Sequence, residues 1–528
     1  MSYRVLVSDE LAEEGIEILR GFCDVDVKTN LTEDELIAII GNYDALLVRS
    51  GTQVTAGVIE AANNMKFIGR AGAGVDNIDL DAATRRGIIV ANAPSGNTLA
   101  ACEHTLAMMA SLARNIPRAN ASLKRGEWKR SGFMGVELNE KTLGVVGFGR
   151  IGQELARRAL ALDMKVIAYD PYINIEKARQ LGAEVVSLDE LFPAADFITV
   201  HTPLVKETRH LINAKTIAAM KDGVRIINCA RGGIIDEAAL YDAIKAGKVA
   251  GAALDVFEEE PPHGSPLLTL EQVVVTPHLG ASTVEAQQNV AVSVAKQCIE
   301  VLKGGSAKFV VNAPMIPVEL QERIEPYATL AGKMGKLLIQ LAEGRLKAVD
   351  IEYGGKAADF GQNIKYITRI ALKGLLDPIL QAPVNIVNAE FIARERGIKV
   401  SESITGESLG FTSLVTITVT TDTMTETVSG NVSGPNKLRI VKIGDYMTDM
   451  TPGGHVVISR HHDVPGVIGR FATTLGRYNI NIAGMQVGRN QPGQEAIMVL
   501  NVDSEVPAEA MEEIRTFEGV FTAKYAHI

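Results

Sequence analysis

Cysteine is scarce in this chain: four in 528 residues, at positions 23, 102, 229 and 298. None stands at metal-ligand spacing from another, so no metal is expected, and free thiols of this kind fit a reducing cytoplasm. Positive charge is also in deficit, with 53 Lys and Arg against 63 Asp and Glu and a formal net charge of −10. With no long basic run, neither nucleic acid nor an anionic membrane is expected as the main partner. Long hydrophobic runs are missing too: no apolar stretch reaches the ~18 residues of a membrane span. The opening Met-Ser-Tyr-Arg-Val-Leu-Val-Ser runs straight into a strand pattern in place of a signal peptide, and a cytoplasmic location is the expectation.

What the chain does have is glycine at telling positions. Thr142 to Val146 is a short apolar run, followed by Gly147-Phe148-Gly149-Arg150-Ile151-Gly152, a helical stretch, and a second apolar run, Lys165 to Tyr169, that ends at Asp170. This reads as a dinucleotide-binding βαβ unit. Gly147 permits the tight turn, Gly149 lets backbone amides approach a pyrophosphate, and Gly152 allows helix and strand to pack closely. The helix that opens there offers unpaired N–H groups to phosphate. Asp170, at the second strand's end, can accept both ribose hydroxyls and would repel a 2′-phosphate, so NAD is expected over NADP.

A length of 528 residues suggests three or four domains at roughly 150 residues each. Residues 1–97 alternate short strands (Arg4–Val7, Ala45–Val48, Lys66–Arg70, Ile88–Val90) with helical patterns, as a small doubly wound sheet does. A long helix from about Thr98 to Ala113 follows, and Pro117 limits its continuation. The cofactor-binding part runs to about Ala281, with further strands at Phe197–Val200, Val224–Asn228, Gly251–Asp255 and Val273–Thr276. Residues 285–302 are helical and are expected to pack back on the first domain. Gly304-Gly305 and the segment to Pro317 mark a boundary. Residues 318–452 read as helix through Leu341 and strand near Leu414–Thr420, with no catalytic motif. After Pro452-Gly453-Gly454 comes the order βαββαβ, a ferredoxin-like module.

Three strand ends carry reactive side chains: Cys229-Ala230-Arg231-Gly232-Gly233, Asp255 to Pro262, and Thr276-Pro277-His278-Leu279-Gly280. Arg231 can fork onto a carboxylate and polarise the neighbouring carbonyl. His278 can take or return a hydroxyl proton, and Glu260 can fix its tautomer from the far nitrogen. Each has a plainer alternative: a solvated arginine, a histidine capping the next helix, an acidic turn. All three follow strands of one sheet on the cofactor's side, which favours the chemical reading. His201 reads as a loop residue on the cofactor side and His104, in mid-helix, as structural.

In combination these segments resemble the D-isomer-specific 2-hydroxyacid dehydrogenases, over residues 1 to about 313. The resemblance implies two Rossmann-like doubly wound α/β domains, one binding substrate (1–97 and 282–313) and one binding NAD (98–281). It implies Arg231, Glu260 and His278 as the catalytic set, with Asp255 holding the nicotinamide carboxamide. Around the cofactor it sets Gly147, Gly149, Arg150, Ile151, Gly152, Asp170, Thr202, Cys229, Ala230 and Gly280, and Gly72, Ala73 and Val75 offer backbone to substrate and cofactor.

Val48-Arg49-Ser50 and Ile68 to Asp79 look like the branch of that family that oxidises 3-phospho-D-glycerate to 3-phosphohydroxypyruvate, at the start of L-serine synthesis. Arg49 and Arg70 would then bind phosphate. Arg130, in Trp128-Lys129-Arg130, would add charge across a subunit contact, because residues 114–133 resemble the family's dimerisation arm; a homodimer or homotetramer is implied. Residues 314–452 resemble the α+β intervening domain of the longer members, and 453–528 resemble an ACT module, which binds amino acids. There Asp463 would take an effector's ammonium with Asn481 opposite and His461 in the same regulatory segment, and L-serine feedback is implied. Some serine-inhibited relatives carry an amide at the Asp463 position, which leaves the effector open. Two other functions remain: reduction of another 2-keto acid such as 2-oxoglutarate, and a catalytically idle, corepressor-like NAD sensor.

Overall fold

The computed structural model describes every residue except Met1, Met315, Gln381, Ala382, Pro435 and Asn436, and Val318 by its backbone alone. Four sheets follow one another along the described chain. Strands β1 (Arg4–Val7), β2 (Asp24–Val27), β3 (Ala45–Val48), β4 (Phe67–Arg70) and β5 (Ile89–Asn92) pair in parallel in the order β2-β1-β3-β4-β5. Central β3 is buried along its whole length, which is why it reads as an unbroken apolar run. Helix Val284–Leu302 returns to this sheet through Val290, Val294, Ala295 and Cys298. Small residues make room for it: a Cβ on Gly69 would stand 2.4 Å from Val294 Cγ2. The chain then adds to the sheet edge, with Val311 donating its amide to Val90 O at 2.7 Å.

The second sheet holds β6 (Thr142–Val146), β7 (Lys165–Tyr169), β8 (Glu184–Val185), β9 (Phe197–Val200), β10 (Val224–Asn228), β11 (Val249–Leu254) and β12 (Val273–Val275), again parallel, in the order β12-β11-β10-β9-β6-β7-β8. Strand order reverses at β6, so the crevice of a doubly wound sheet opens at the loop that follows it. Helix Thr98–Ala113 joins this core through Cys102, Met109 and Leu112. It stops at Ala113; Asn115 turns the chain at φ +53°, and Pro117 stands in the first turn of the next helix, Ile116–Lys124. Proline there begins a helix as well as ending one.

The third sheet contains β13 (Leu346–Gly355), β14 (Lys399–Thr405), β15 (Ser413–Thr421), β16 (Thr425–Val432), β17 (Leu438–Ile443) and β18 (Tyr446–Met450), in the order β14-β13-β15-β16-β17-β18. Beforehand only β15 is expected as a strand, although its neighbour β13 alternates too, with Val349, Ile351 and Tyr353 buried and Asp350 and Glu352 exposed. The last sheet takes β19 (His455–His462), β20 (Ile482–Arg489), β21 (Glu495–Val502) and β22 (Val520–His527) in the order β20-β21-β19-β22, with helices Val467–Arg477 and Ala508–Arg515 on one face, a ferredoxin-like unit. Its other face, with Val456, Ile458, Ile497 and Val499, belongs to the core of the third unit. Among the described residues no helix is long and apolar enough to cross a membrane.

Candidate active site

The glycine turn after β6 is built as its residues demand. Gly147 sits at φ +93°, and a Cβ there would lie 2.6 Å from His201 O. A Cβ on Gly152 would meet Gly147 O at 2.3 Å, whereas one on Gly149 would meet nothing within 4 Å. Open space therefore lies over Gly149, at the start of helix Arg150–Leu160, whose first amides have no side-chain cap. Asp170 stands beside the turn, accepting from Phe148 N at 2.9 Å and from Tyr172 N at 2.8 Å. Ile151 packs against the sheet core, and the Arg150 guanidinium lies 5.7 Å over the Phe309 ring. Thr202 Oγ1 is buried without a protein partner. An open cradle of amides, a carboxylate at the next strand's end and an unspent hydroxyl are what a dinucleotide needs.

Beyond β10, β11 and β12 the side chains converge on Asp255, which is wholly buried. Its carboxylate accepts from Thr276 Oγ1 at 2.6 Å, Leu279 N at 2.7 Å and Gly280 N at 2.8 Å, and His104 Nε2 lies 3.1 Å away. Burial works against its charge, but His104, Thr276 and the Leu279 amide outweigh it and hold the carboxyl below its usual range. Within the chain the Asp255 oxygens accept from its own loops. His104, expected to be merely structural, belongs to this network. Burial, with Asp255 nearby, pushes the Cys229 thiol up to about 12, so it is a neutral wall residue beside Ala230. Burial also takes His201 down to about 4, leaving a neutral ring on Thr199 Oγ1 at 3.0 Å.

His278 Nδ1 meets Glu260 Oε2 at 2.8 Å, and Glu260 Oε1 accepts from Phe257 N at 3.1 Å. Burial raises the Glu260 carboxyl, but the hydrogen bond and charge of His278 prevail and keep it ionised below its ordinary value. His278 itself lies at φ +55°, with its amide donating to Asp255 O at 2.8 Å. That backbone region is costly for a residue with a β-carbon and persists only where neighbours hold it.

A cleft of about 640 Å³ lies between the two lobes, lined by Arg49, Arg70, Gly72, Ala73, Arg231, Glu260 and His278 among others. The Arg231 Nε donates to Asp76 Oδ2 at 3.0 Å, passing so close to Gly74 that a Cβ there would be 2.0 Å from its Nη2. Arg70 Nη1 reaches only Ala71 O at 3.3 Å, and its Nε is buried without a partner. Burial, Arg231 and Arg49 together press Arg70 down to about 10. Cations crowded in this way await an anion. The Val75 side chain packs into the first lobe's core. Arg130 is not brought here: it sits on an exposed turn, Arg130–Phe133, outside the cleft of its own chain.

In the ferredoxin-like unit, Asp463 accepts from Arg489 Nη1 at 2.8 Å, and burial pushes His461, whose Nδ1 has no partner, downward. Asn481 donates to Asp503 at 2.7 Å. The expectation that Asn481 faces Asp463 needs correcting within one chain. In the register His462 pairs with Glu495 and Ile482 with Val502, so Asp463 and Asn481, each one residue further out, stand at opposite ends of the sheet, roughly nine residues or ~31 Å apart.

Residues 106–280 match the family described as D-isomer specific 2-hydroxyacid dehydrogenase, NAD binding domain; residues 323–444 match the D-3-phosphoglycerate dehydrogenase intervening domain and 455–519 the ACT domain. The chain is 49% identical over 518 residues to D-3-phosphoglycerate dehydrogenase of Methanocaldococcus jannaschii, covering 98% of each. It belongs to the D-3-phosphoglycerate dehydrogenase family. Another member of this family, from Bacillus subtilis, is 45% identical over 99% of both chains. Among solved structures, the D-lactate dehydrogenase of Aquifex aeolicus, in complex with NAD and lactic acid, is 30% identical with a TM-score of 0.54, covering 59% of this chain and all but 1% of its own, for which 99% is matched. As a member of this dehydrogenase family the chain is an NAD-dependent enzyme with two Rossmann-like domains, an intervening domain and an ACT domain. Two contributors received no role beforehand: His104, expected to be structural, and Asp76, which lies within the Ile68 to Asp79 segment; each acquires its partner only through the fold.

Proposed function

We propose that this chain oxidises 3-phospho-D-glycerate to 3-phosphohydroxypyruvate, the opening step of L-serine synthesis. The observation that carries this reading is the crowding of Arg49, Arg70 and Arg231 in the cleft that holds the His278–Glu260 pair. A plain 2-hydroxy acid offers one anion to such a site; a phosphorylated one offers two. The fork of Arg231 binds the carboxylate and polarises the adjacent oxygen, while Arg49 and Arg70 take the phosphate. Nδ1 of His278 is engaged by Glu260, so Nε2 is the nitrogen that receives the hydroxyl proton, and the Glu260 charge steadies the imidazolium that results. NAD, when bound, supplies the hydride acceptor. Gly147, Gly149, Arg150, Ile151 and Gly152 would hold its pyrophosphate and Asp170 its ribose, with Thr202, Cys229, Ala230 and Gly280 toward the ring.

Neither the 2-oxoglutarate reductase nor the idle sensor is favoured by any feature of the cleft, and relatives matched end to end carry the dehydrogenase name. The deciding assay is NADH production from 3-phosphoglycerate against unphosphorylated 2-hydroxy acids. A strong preference for the phosphorylated acid, lost in Arg49→Ala, supports the reading; equal rates refute it. L-Serine is the proposed effector of the ACT domain, with Asp463 receiving its ammonium group. Because Asn481 lies at the far end of its own sheet, it would reach Asp463 only from a second copy. The same assembly, a homodimer or homotetramer in the cytoplasm, would cover Trp128 and Met134, which are 78% and 85% exposed, and would carry Arg130 to a neighbour's cleft. Light scattering tests the assembly, and Asp463→Ala should relieve inhibition by added serine.

A further inference from the structure

We propose that His104 is a positioning residue for the reaction: through Asp255 it holds the loop that presents His278. The inference rests on the reading of His278 as proton acceptor.

Asp255 is a clamp around that loop. Its carboxylate takes Thr276 Oγ1, two residues before His278, and the amides of Leu279 and Gly280, one and two residues after it. The backbone completes the grip, since Asp255 O accepts the His278 amide at 2.8 Å. His278 is thereby pinned at φ +55°, a conformation it would leave if the flanking bonds loosened.

The three hydrogen-bond donors to the carboxylate come from the loop itself. His104, from helix Thr98–Ala113, reaches the clamp from outside the loop: its Nε2 hydrogen-bonds Thr276 Oγ1 at 3.2 Å and stands 3.1 Å from Asp255 Oδ1. A neutral imidazole protonated on Nε2 suffices as the donor. The carboxylate is wholly buried and needs such donors to stay ionised, and its charge is what makes the loop bonds strong. Among the groups that hold its proton off, His104 is foremost. Without that N–H the carboxyl gains a proton more readily, the bonds from Leu279 and Gly280 weaken, and the His278–Glu260 alignment is lost.

The test compares His104→Leu with His104→Gln, whose amide nitrogen can stand where Nε2 stands. In His104→Leu, kcat with 3-phosphoglycerate should fall about tenfold or more, while KM shifts far less and the acid limb of kcat moves to higher pH. His104→Gln should recover most of the rate. Amide hydrogen exchange reads the clamp whatever the substrate: Leu279 and Gly280 should exchange about tenfold faster in His104→Leu and return toward wild type in His104→Gln. Melting curves keep the comparison to folded protein. Unchanged exchange and an unchanged pH profile in His104→Leu, with only its melting temperature lowered, would overturn the proposal. Equal losses in both variants would overturn it as well. If wild type fails to oxidise 3-phosphoglycerate while exchange behaves as described, the assigned substrate falls and the clamp stands.

Discussion

Arg231 donates from Nε to Asp76 Oδ2 at 3.0 Å, so the guanidinium assigned to the substrate's carboxylate already holds a carboxylate of the opposite lobe. Asp76 is largely exposed, and a pair of this kind is worth about 0–1 kcal/mol. It is a weak competitor, strong enough to keep the arginine extended and weak enough to yield.

Replacing Asp76 by Asn removes the competitor and keeps the side chain's size. KM for the hydroxy acid should fall, by up to about fivefold given the pair's worth, with kcat little changed. Steady-state kinetics checks this; a rise in KM would mean that the pair holds the lobes together and does not compete.

Glu260 makes a prediction for pH. Its carboxyl ordinarily titrates at 4.5 and is held lower in the folded protein, chiefly because its contact with His278 overcomes burial. A depressed folded-state value contributes stability that is whole above the unfolded value and is lost as pH falls through the folded one. Glu260→Gln should therefore flatten the acid-side decline of the melting temperature. Its kcat should drop between about 10²- and 10⁴-fold, because the developing imidazolium loses its counter-charge, and the acid limb of kcat should move to lower pH.

Arg70 illustrates a cost carried for binding. Pressed by burial and by Arg231 and Arg49, it should be more comfortable as an apolar residue when no anion is bound. Arg70→Met is expected to raise the melting temperature by about 2–4 °C and to raise KM for the phosphorylated acid by about tenfold or more. Inorganic phosphate should stabilise wild type more than the variant, as differential scanning calorimetry would show.

The glycines of the nucleotide turn separate fold from function. Gly149 has φ −72° and open space where a Cβ would go, so Gly149→Ala should melt within about 1 °C of wild type yet bind NAD roughly tenfold more weakly. Gly152→Ala drives a methyl to 2.3 Å from Gly147 O, so backbone must move, at about 1–3 kcal/mol. It should lose several degrees in melting temperature before any defect in NAD affinity is measured by titration calorimetry.

How far these features could be read in advance depends on how far apart their causes lie. The turn from Gly147 to Gly152 and its acid at Asp170 fall within 24 consecutive residues, counted inclusively from 147 to 170. Their demands are backbone sterics and strand-end position, which neighbouring residues state outright. Strands buried on both faces, such as β3, announce themselves in the same way. In the third unit β15 announces itself as well, by its alternation, but its pairing with β13 joins residues distant in the chain and is not stated locally.

The alternation of strand and helix, the nucleotide turn and the reactive strand ends were therefore legible from residue order alone, since local stereochemistry and apolar period specify them. Partnership was not. His104 meets Thr276 across 172 positions, Arg231 meets Asp76 across 155, and Asn481 is turned from Asp463 by nothing more than strand register. Such meetings follow from which strands become neighbours and how they slide against one another, and that choice is made by the packing of whole elements together, which no stretch of sequence contains.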